Sequence, residues 1–367
     1  MTLLQDRLRS TVTTMPRSDG PLLDVRHLVT EFKTYGGWLR AVNDVSFTVP
    51  HGKVLGILGE SGAGKSALLR TVLGVQPRTA SVSGQVLLNG VDLLQMHSKE
   101  RERIRGAWLS MIFQDPMTAL DPLFTVEQQI VETVRRHTTM TKSEASDRAL
   151  ELLQLVQIPS PEQRLKAYPF ELSGGMRQRI VIAIALACNP GLLLADEPTT
   201  ALDVTVQARV LTLLRELRAT LGMSIVLVTH DLAVAASMAD DLAVMYGGRI
   251  VEQGSVREVV NAPKHPYTLG LLHANVRPGQ RDRPEAIPGA PPNLARLPAG
   301  CAFAPRCAFV TAPCLEATPE LSPIAGTHSA RCVLVASAAR AAGATASAPV
   351  RAERTHGQAA LSPPPSV

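Results

Sequence analysis

The sequence is poor in aromatic residues, at 4% of the chain, and holds two tryptophans. It also lacks a long apolar run. The longest, residues 180–188, is broken by Asn189-Pro190-Gly191, well short of the ~20 residues a bilayer-spanning helix needs. The opening MTLLQDRLRSTVTTMPRSDG mixes charges with hydroxyls and has no apolar centre. It reads as a loose leader over 1–20 rather than a secretory signal, and the protein is expected in the cytoplasm. Charge is nearly balanced, with a formal net of +5 at pH 7. With few rings and no basic stripe, nothing indicates a nucleic-acid surface, and a phosphate-rich membrane face or an acidic partner accounts for the small excess equally well. Cysteine is nearly absent before residue 300, where Cys188 stands alone; the other four crowd into 301–332.

What is present is 367 residues with 45% hydrophobic content, enough for a full core and more than one domain. The chain is organised around residues 54–66, VLGILGESGAGKS. An apolar run of strand length (54–58) feeds a glycine loop, which opens into the helical pattern Ala67-Leu68-Leu69-Arg70. Gly59, Gly62 and Gly64 let the backbone turn so that successive N–H groups of the loop, through Glu60, Ser61 and Ala63, line a phosphate chain at the positive end of the new helix. Lys65 supplies a point charge to the terminal phosphates and Ser66 a hydroxyl ligand to Mg²⁺. A flexible Gly/Ser turn is the bland alternative, and the flanking strand and helix argue against it.

Residues 22–49 alternate as strands around a turn at Gly36-Gly37. Phe32, Tyr35 and Trp38 precede the loop; any could lay a ring on a purine base, with Phe32 the leading candidate against ordinary packing. A short strand at 84–89 and an exposed helix at SKERERIRG follow. The strand 108–113 ends on Gln114, whose amide can ligate a metal and sense a γ-phosphate. From 115 to about 172 the pattern turns helical, broken at Pro116, Pro122, Pro159 and Pro161. At 172–188, Ser173 with Gly174-Gly175 opens a helix; ordinary N-capping competes with a second anion site, and the glycine pair favours phosphate contact. The strand 192–197 ends in two carboxylates. Asp196 can hold the Mg²⁺ shell through water and Glu197 the attacking water. The loop 198–203 enters a helix over 204–221. The strand 224–228 ends at Thr229-His230-Asp231, where His230 can reach the γ-phosphate. Strands at 241–246 and 249–252 are expected to finish the sheet edge, with a short helix near 255–261.

With the loop, Gln114, LSGG, LLLADE, TALD and His230 in this order, residues 22–262 resemble the ATP-binding subunit of an ABC transporter. The resemblance implies an α/β P-loop cassette with a mostly parallel core sheet, an antiparallel β subdomain and a helical insertion. It implies an ATPase in which two cassettes pack head to tail. Each ATP would lie between Lys65 of one and Ser173-Gly174-Gly175 of the other, with Asp203 of TALD beside it. Membrane subunits would dock near the Gln114 loop. KHPYTLGLL (264–272), IPGAPPNLARLPAGCAFAPRC (287–307) and FQDPMTALDP (113–122) are similar to the D-type subunits of dipeptide and oligopeptide importers. Nickel, glutathione and antimicrobial-peptide uptake systems share these features. The partners implied are a second, related ATPase chain, two permease subunits and an extracytoplasmic peptide-binding protein, and the expected location is the inner face of the cell membrane. Soluble ABC ATPases of translation or DNA repair are the alternative class, and the single cassette with its compact insertion speaks against them.

Cys301, Cys307, Cys314 and Cys332 are separated by five, six and seventeen residues, within an extension expected over 263–335. In a reducing compartment four thiolates suit zinc or an iron–sulfur cluster rather than disulfides, and close CxxC pairs are missing. The importer resemblance implies a four-iron, four-sulfur cluster. His328 is a spare ligand or a surface residue. Cys188 reads as a small buried apolar residue. Residues 336–367, rich in Ala, Ser, Pro and Arg, read as a disordered tail.

Overall fold

A computed structural model describes residues 19–200, 202–274 and 285–335. Most of the expected leader and all of the expected tail lie outside these residues. Period-two alternation over Leu23–Thr34 (β1) and Gly37–Val49 (β2) buries one face of an antiparallel hairpin, and Ala80–Leu88 (β4) and Val91–Asp92 (β5) complete a four-stranded sheet in the order β2-β1-β4-β5.

Among the described residues the second sheet has eight strands, and five neighbouring ones at one end are short and mostly apolar: Val54–Leu58 (β3), Leu109–Ile112 (β6), Leu192–Asp196 (β7), Ser224–Thr229 (β8) and Asp241–Tyr246 (β9). Every residue of β3, β6, β7 and β8 is buried, as expected for parallel strands covered on both faces. These five pair in parallel in the order β9-β3-β8-β7-β6. Arg249–Ser255 (β10) then pairs antiparallel with β9.

The sheet does not end at β10. Ser322–Ala325 (β11) and His328–Ala330 (β12) from the C-terminal extension add two more antiparallel strands in the order β11-β12-β10. At four and three residues these strands are too short to carry a readable pattern, and their partner lies about 80 residues upstream.

Helices fill the gaps. Lys65–Leu73 (α1) follows β3, and Ser98–Ile104 (α2) precedes β6. The insertion consists of Pro116–Ala119 (α3), Val126–His137 (α4), Lys142–Leu155 (α5) and Pro161–Leu165 (α6). Both long helices start in capping boxes, Thr125 with Gln128 and Thr141 with Glu144. Gly174–Ala185 (α7), Val204–Leu221 (α8), Leu232–Met238 (α9), Val256–Asn261 (α10) and Pro266–Ala274 (α11) follow, and Ala312–Glu316 (α12) lies in the extension. The insertion buries Ile130, Val134, Leu152 and Leu153 against α7, in one core with β7 and β8. A second core joins the antiparallel sheet to α1 and the other sheet face. A third, around Tyr246, Tyr267 and Phe303, ties the extension to β9.

Candidate active site

Because β3 and β7 both pair with β8, the carboxyl ends of these strands lie side by side, and the candidate residues leave the sheet there. The loop between β3 and α1 is held tightly. Gly64 has a φ of 102°, and a β-carbon there would meet Ala41 O at 2.2 Å; one at Gly59 would meet Met245 O at 2.3 Å. No other residue fits either position.

Lys65, the first residue of α1, is buried, and its Nζ donates to Gly59 O (2.7 Å) and Glu60 O (3.0 Å). It lies 3.6 Å from Glu197 Oε1. Burial pulls the ammonium below its ordinary pKa, against the stabilising pull of Glu197. Ser66 Oγ donates to Asp196 Oδ1 at 2.9 Å. Asp196 is buried at the end of β7, and burial raises its pKa against the Ser66 hydrogen bond. Two of the three expected Mg²⁺ ligands therefore already touch, while the third, Gln114, bonds Glu197.

Glu197 is the hub. Its backbone sits in the left-handed region, with φ 47°, a strained conformation for a residue with a β-carbon. Its N–H donates to Val228 O at 2.9 Å. Gln114 Nε2 (3.2 Å) and Thr200 Oγ1 (3.0 Å) donate to its Oε2, and His230 Nδ1 lies 3.0 Å from the same oxygen. Burial pushes the carboxyl pKa up, but Thr200, Lys65 and His230 together hold it below the ordinary range. Thr200 carries no sequence signal beyond a hydroxyl in a turn, so the sequence reading passes over it.

A second group stays apart. Ser173 Oγ accepts from Met176 N at 3.3 Å, the ordinary cap of α7, and Asp203 caps α8 through Thr205 N (3.0 Å) and Val206 N (2.9 Å). A β-carbon on Gly175 would meet Val206 Cγ1 at 2.9 Å, while one on Gly174 would meet nothing. The second glycine thus has a packing reason and the first has none. Among the described residues this group makes no hydrogen bond to the Glu197 hub.

Phe32 is half-buried on β1, opposite Leu39 and Ala80, while Tyr35 and Trp38 are exposed. Ser61 and Gly62 are exposed, and Ala63 is buried. Glu60 is gripped by Arg306 of the extension through two hydrogen bonds, of 2.7 and 3.0 Å. Sequence reading misses Arg306 entirely, because 246 positions separate the pair.

The expected metal set at the cysteines is not formed as such. Among the described residues no three His, Cys, Asp or Glu side chains gather in a way that could hold a metal ion. Cys301, Cys307, Cys314 and Cys332 do line one pocket, with His265, Phe303 and Phe309. Burial is the largest influence on the Cys301 and Cys307 thiols and raises both. His328 is neither a surface residue nor a spare ligand. It is buried, with Nε2 2.7 Å from Glu252 Oε1, because β12 is drawn onto β10. Cys188 is buried as expected, its thiol pushed up to about 11 by desolvation. No helix among the described residues is long and apolar enough to cross a membrane.

Two family models match the chain: ABC transporter over residues 42–200, and oligopeptide/dipeptide transporter, C-terminal region, over 251–314. A probable peptide ABC transporter ATP-binding protein of Sinorhizobium fredii is 46% identical over 321 residues, covering 86% of this chain and 96% of its own. The oligopeptide transport ATP-binding protein OppD of Bacillus subtilis is 46% identical over 311 residues, covering 84% and 87%. Among solved structures, the dimeric cassette MJ0796 bound to ADP and Pi superposes with a TM-score of 0.58 at 28% identity, over 64% of this chain and 99% of that one. The strand order, the loop-to-helix turn and the Glu197 hub, with these likenesses over most of its length, make the chain a member of the ATP-binding subunits of the oligopeptide and dipeptide ABC transporter family.

Proposed function

We propose that the chain is the ATP-hydrolysing cassette of a peptide importer, working at the cytoplasmic face of the membrane. Its partners are a second cassette, two membrane-spanning subunits and an extracytoplasmic binding protein. The observation that carries the catalytic part is the convergence of Lys65, Gln114, Thr200 and His230 on Glu197, beside the Ser66–Asp196 contact. The likeness to relatives named for peptide and oligopeptide transport supports peptides over nickel or glutathione.

The amides of Ser61, Gly62 and Gly64 cradle the phosphates with Lys65, while those of Glu60 and Ala63 shape the loop by donating to Tyr267 Oη (2.9 Å) and Glu60 O (3.2 Å), and Phe32 is the ring offered to the base. Ser66, Gln114 and Asp196 would hold Mg²⁺, which neutralises charge on the β- and γ-phosphates. In hydrolysis a water oxygen bonds to the γ-phosphorus as the bridging P–O bond to ADP breaks, and the water proton passes by way of Glu197 to the departing phosphate. The 3.6 Å Lys65–Glu197 contact suits a switch: a lysine drawn to the phosphates leaves Glu197 a stronger base. His230, 3.0 Å away, keeps the carboxylate oriented.

The separate group of Ser173, Gly174, Gly175 and Asp203 is read as the half-site offered to a neighbouring cassette, packed head to tail. The open space around Gly174 and the dimeric MJ0796 relative support this. Exposed Phe113, Met117, Leu123, Phe124 and Phe170 support docking of the membrane subunits around the Gln114 loop, since Val126 N–H to Ala167 O (3.0 Å) draws their two segments together.

A four-iron, four-sulfur cluster on Cys301, Cys307, Cys314 and Cys332 is also part of the reading. All four line one apolar pocket, and the spacings lack the close CxxC pairs usual for zinc. Such a group would cross-link loops that have little core of their own.

The test is steady-state ATP turnover of the assembled complex carrying Glu197→Gln. Turnover is expected to fall about 10²–10⁴-fold with MgATP binding retained; wild-type turnover would overturn the role of Glu197.

A further inference from the structure

Glu60 is an acid inside a loop built to bind a polyanion, and each of its polar groups is taken. Its carbonyl accepts from Lys65 Nζ (3.0 Å), its N–H donates to Tyr267 Oη (2.9 Å), and its carboxylate takes both ends of the Arg306 guanidinium (2.7 and 3.0 Å). Tyr267 and Arg306 both come from beyond the cassette. Every N–H of Arg306 is used: Nε donates to Pro288 O (2.8 Å), Nη1 also reaches Tyr246 Oη (3.4 Å), and Nη2 also reaches Ile287 O (3.4 Å). The Arg306 side chain is 6% exposed and that of Glu60 24%, so the guanidinium end of this bidentate pair is shielded from water and salt. Arg306 also immediately precedes Cys307, inside the loop that carries two of the four clustered cysteines.

Two consequences follow from elementary electrostatics. A free Glu60 carboxylate would repel the triphosphate; paired with Arg306 it is neutralised and kept still. A loop whose amides must aim at phosphates binds best when its backbone is fixed beforehand, and Arg306 and Tyr267 fix it at the residue whose carbonyl orients Lys65.

We propose that Arg306, helped by Tyr267, is a positioning residue for nucleotide binding: through it the cysteine-bearing extension neutralises the Glu60 carboxylate, which left unpaired would repel the triphosphate and draw the phosphate loop out of its binding geometry. This rests on reading residues 59–66 as the phosphate loop.

The experiment measures MgATP affinity of the full chain by displacement of a fluorescent ATP analogue. Arg306→Gln is expected to weaken binding about tenfold, and Glu60→Gln in the same chain to restore it to within about threefold of the parent, because the unpaired anion is gone. A purely structural arginine would not be rescued by a change in the phosphate loop. Binding by Arg306→Gln within twofold of the parent, or a double variant no better than the single, overturns the proposal. Should Arg306→Gln fail to fold, Tyr267→Phe removes one hydroxyl and is expected to weaken binding about threefold; unchanged affinity there overturns the proposal as well. A parent chain that does not bind MgATP overturns the loop reading itself, whereas a parent that binds beside variants that bind equally well overturns only this inference.

Discussion

At the scale of single residues, charge placement decides more than charge number. Glu197 tolerates burial because four groups of opposite or donating character face it, whereas Asp241 has only Lys53 to set against its burial. It opens β9 half-buried, and burial first, then the neighbouring Asp240, raises its pKa above the ordinary 3.8 despite Lys53. An acid whose pKa rises on folding contributes stability that is complete below its unfolded value and is lost as pH climbs through the folded value. At neutral pH the charged Asp241 is therefore a net cost. Asp241→Asn is expected to raise the melting temperature at pH 7, with the gain shrinking as pH is lowered towards 4. Melting curves across that range check it, and a gain independent of pH would refute the assignment.

Among elements, the junction between β10 and the extension carries the most non-local information. Glu252, fully buried on β10, accepts from Lys264 N (2.7 Å) and His265 N (2.9 Å) and meets His328 Nε2 at 2.7 Å. One carboxylate thus fastens the start of α11 and the strand β12, which joins β11 to β10. Removing it leaves two N–H groups and a histidine buried without their acceptor, and Glu252→Ala is expected to cost about 3 kcal/mol or more. Hydrogen exchange should then quicken over residues 264–274 and 322–332 while β3 and β8 stay protected; uniform loss across the sheet would contradict this local role. The sequence reading took 249–252 as the sheet edge because it saw a strand followed by a helix. A three-residue strand pairing across a long stretch of chain leaves no periodicity to read.

On the scale of the whole molecule, two readings meet different tests. If the Ser173–Gly175 edge serves a neighbour's ATP, turnover per cassette should rise steeply when the second cassette is added and fall on dilution. Solitary chains hydrolysing ATP at full speed would refute the head-to-tail site. For the cysteine pocket, anaerobically purified chain should be brown and carry about four irons, and Cys314→Ala should lose most of them. Equimolar zinc without iron would refute the cluster.

Composition and order alone determined that this chain makes a phosphate loop between a buried strand and a helix, and that Gln114, Asp196-Glu197 and His230 stand at successive strand ends. These signals are local: each motif is a few residues whose backbone demands are written beside them. Tertiary structure decided the rest. Thr200 joins the hub through a turn without a signature, His328 turns inward to Glu252, and Arg306 crosses 246 positions to reach Glu60. Each of these depends on where separate segments meet once the sheet has closed. A side chain's partner across such distances is fixed by packing and by the need to satisfy buried charge, neither of which leaves a mark on the neighbouring letters.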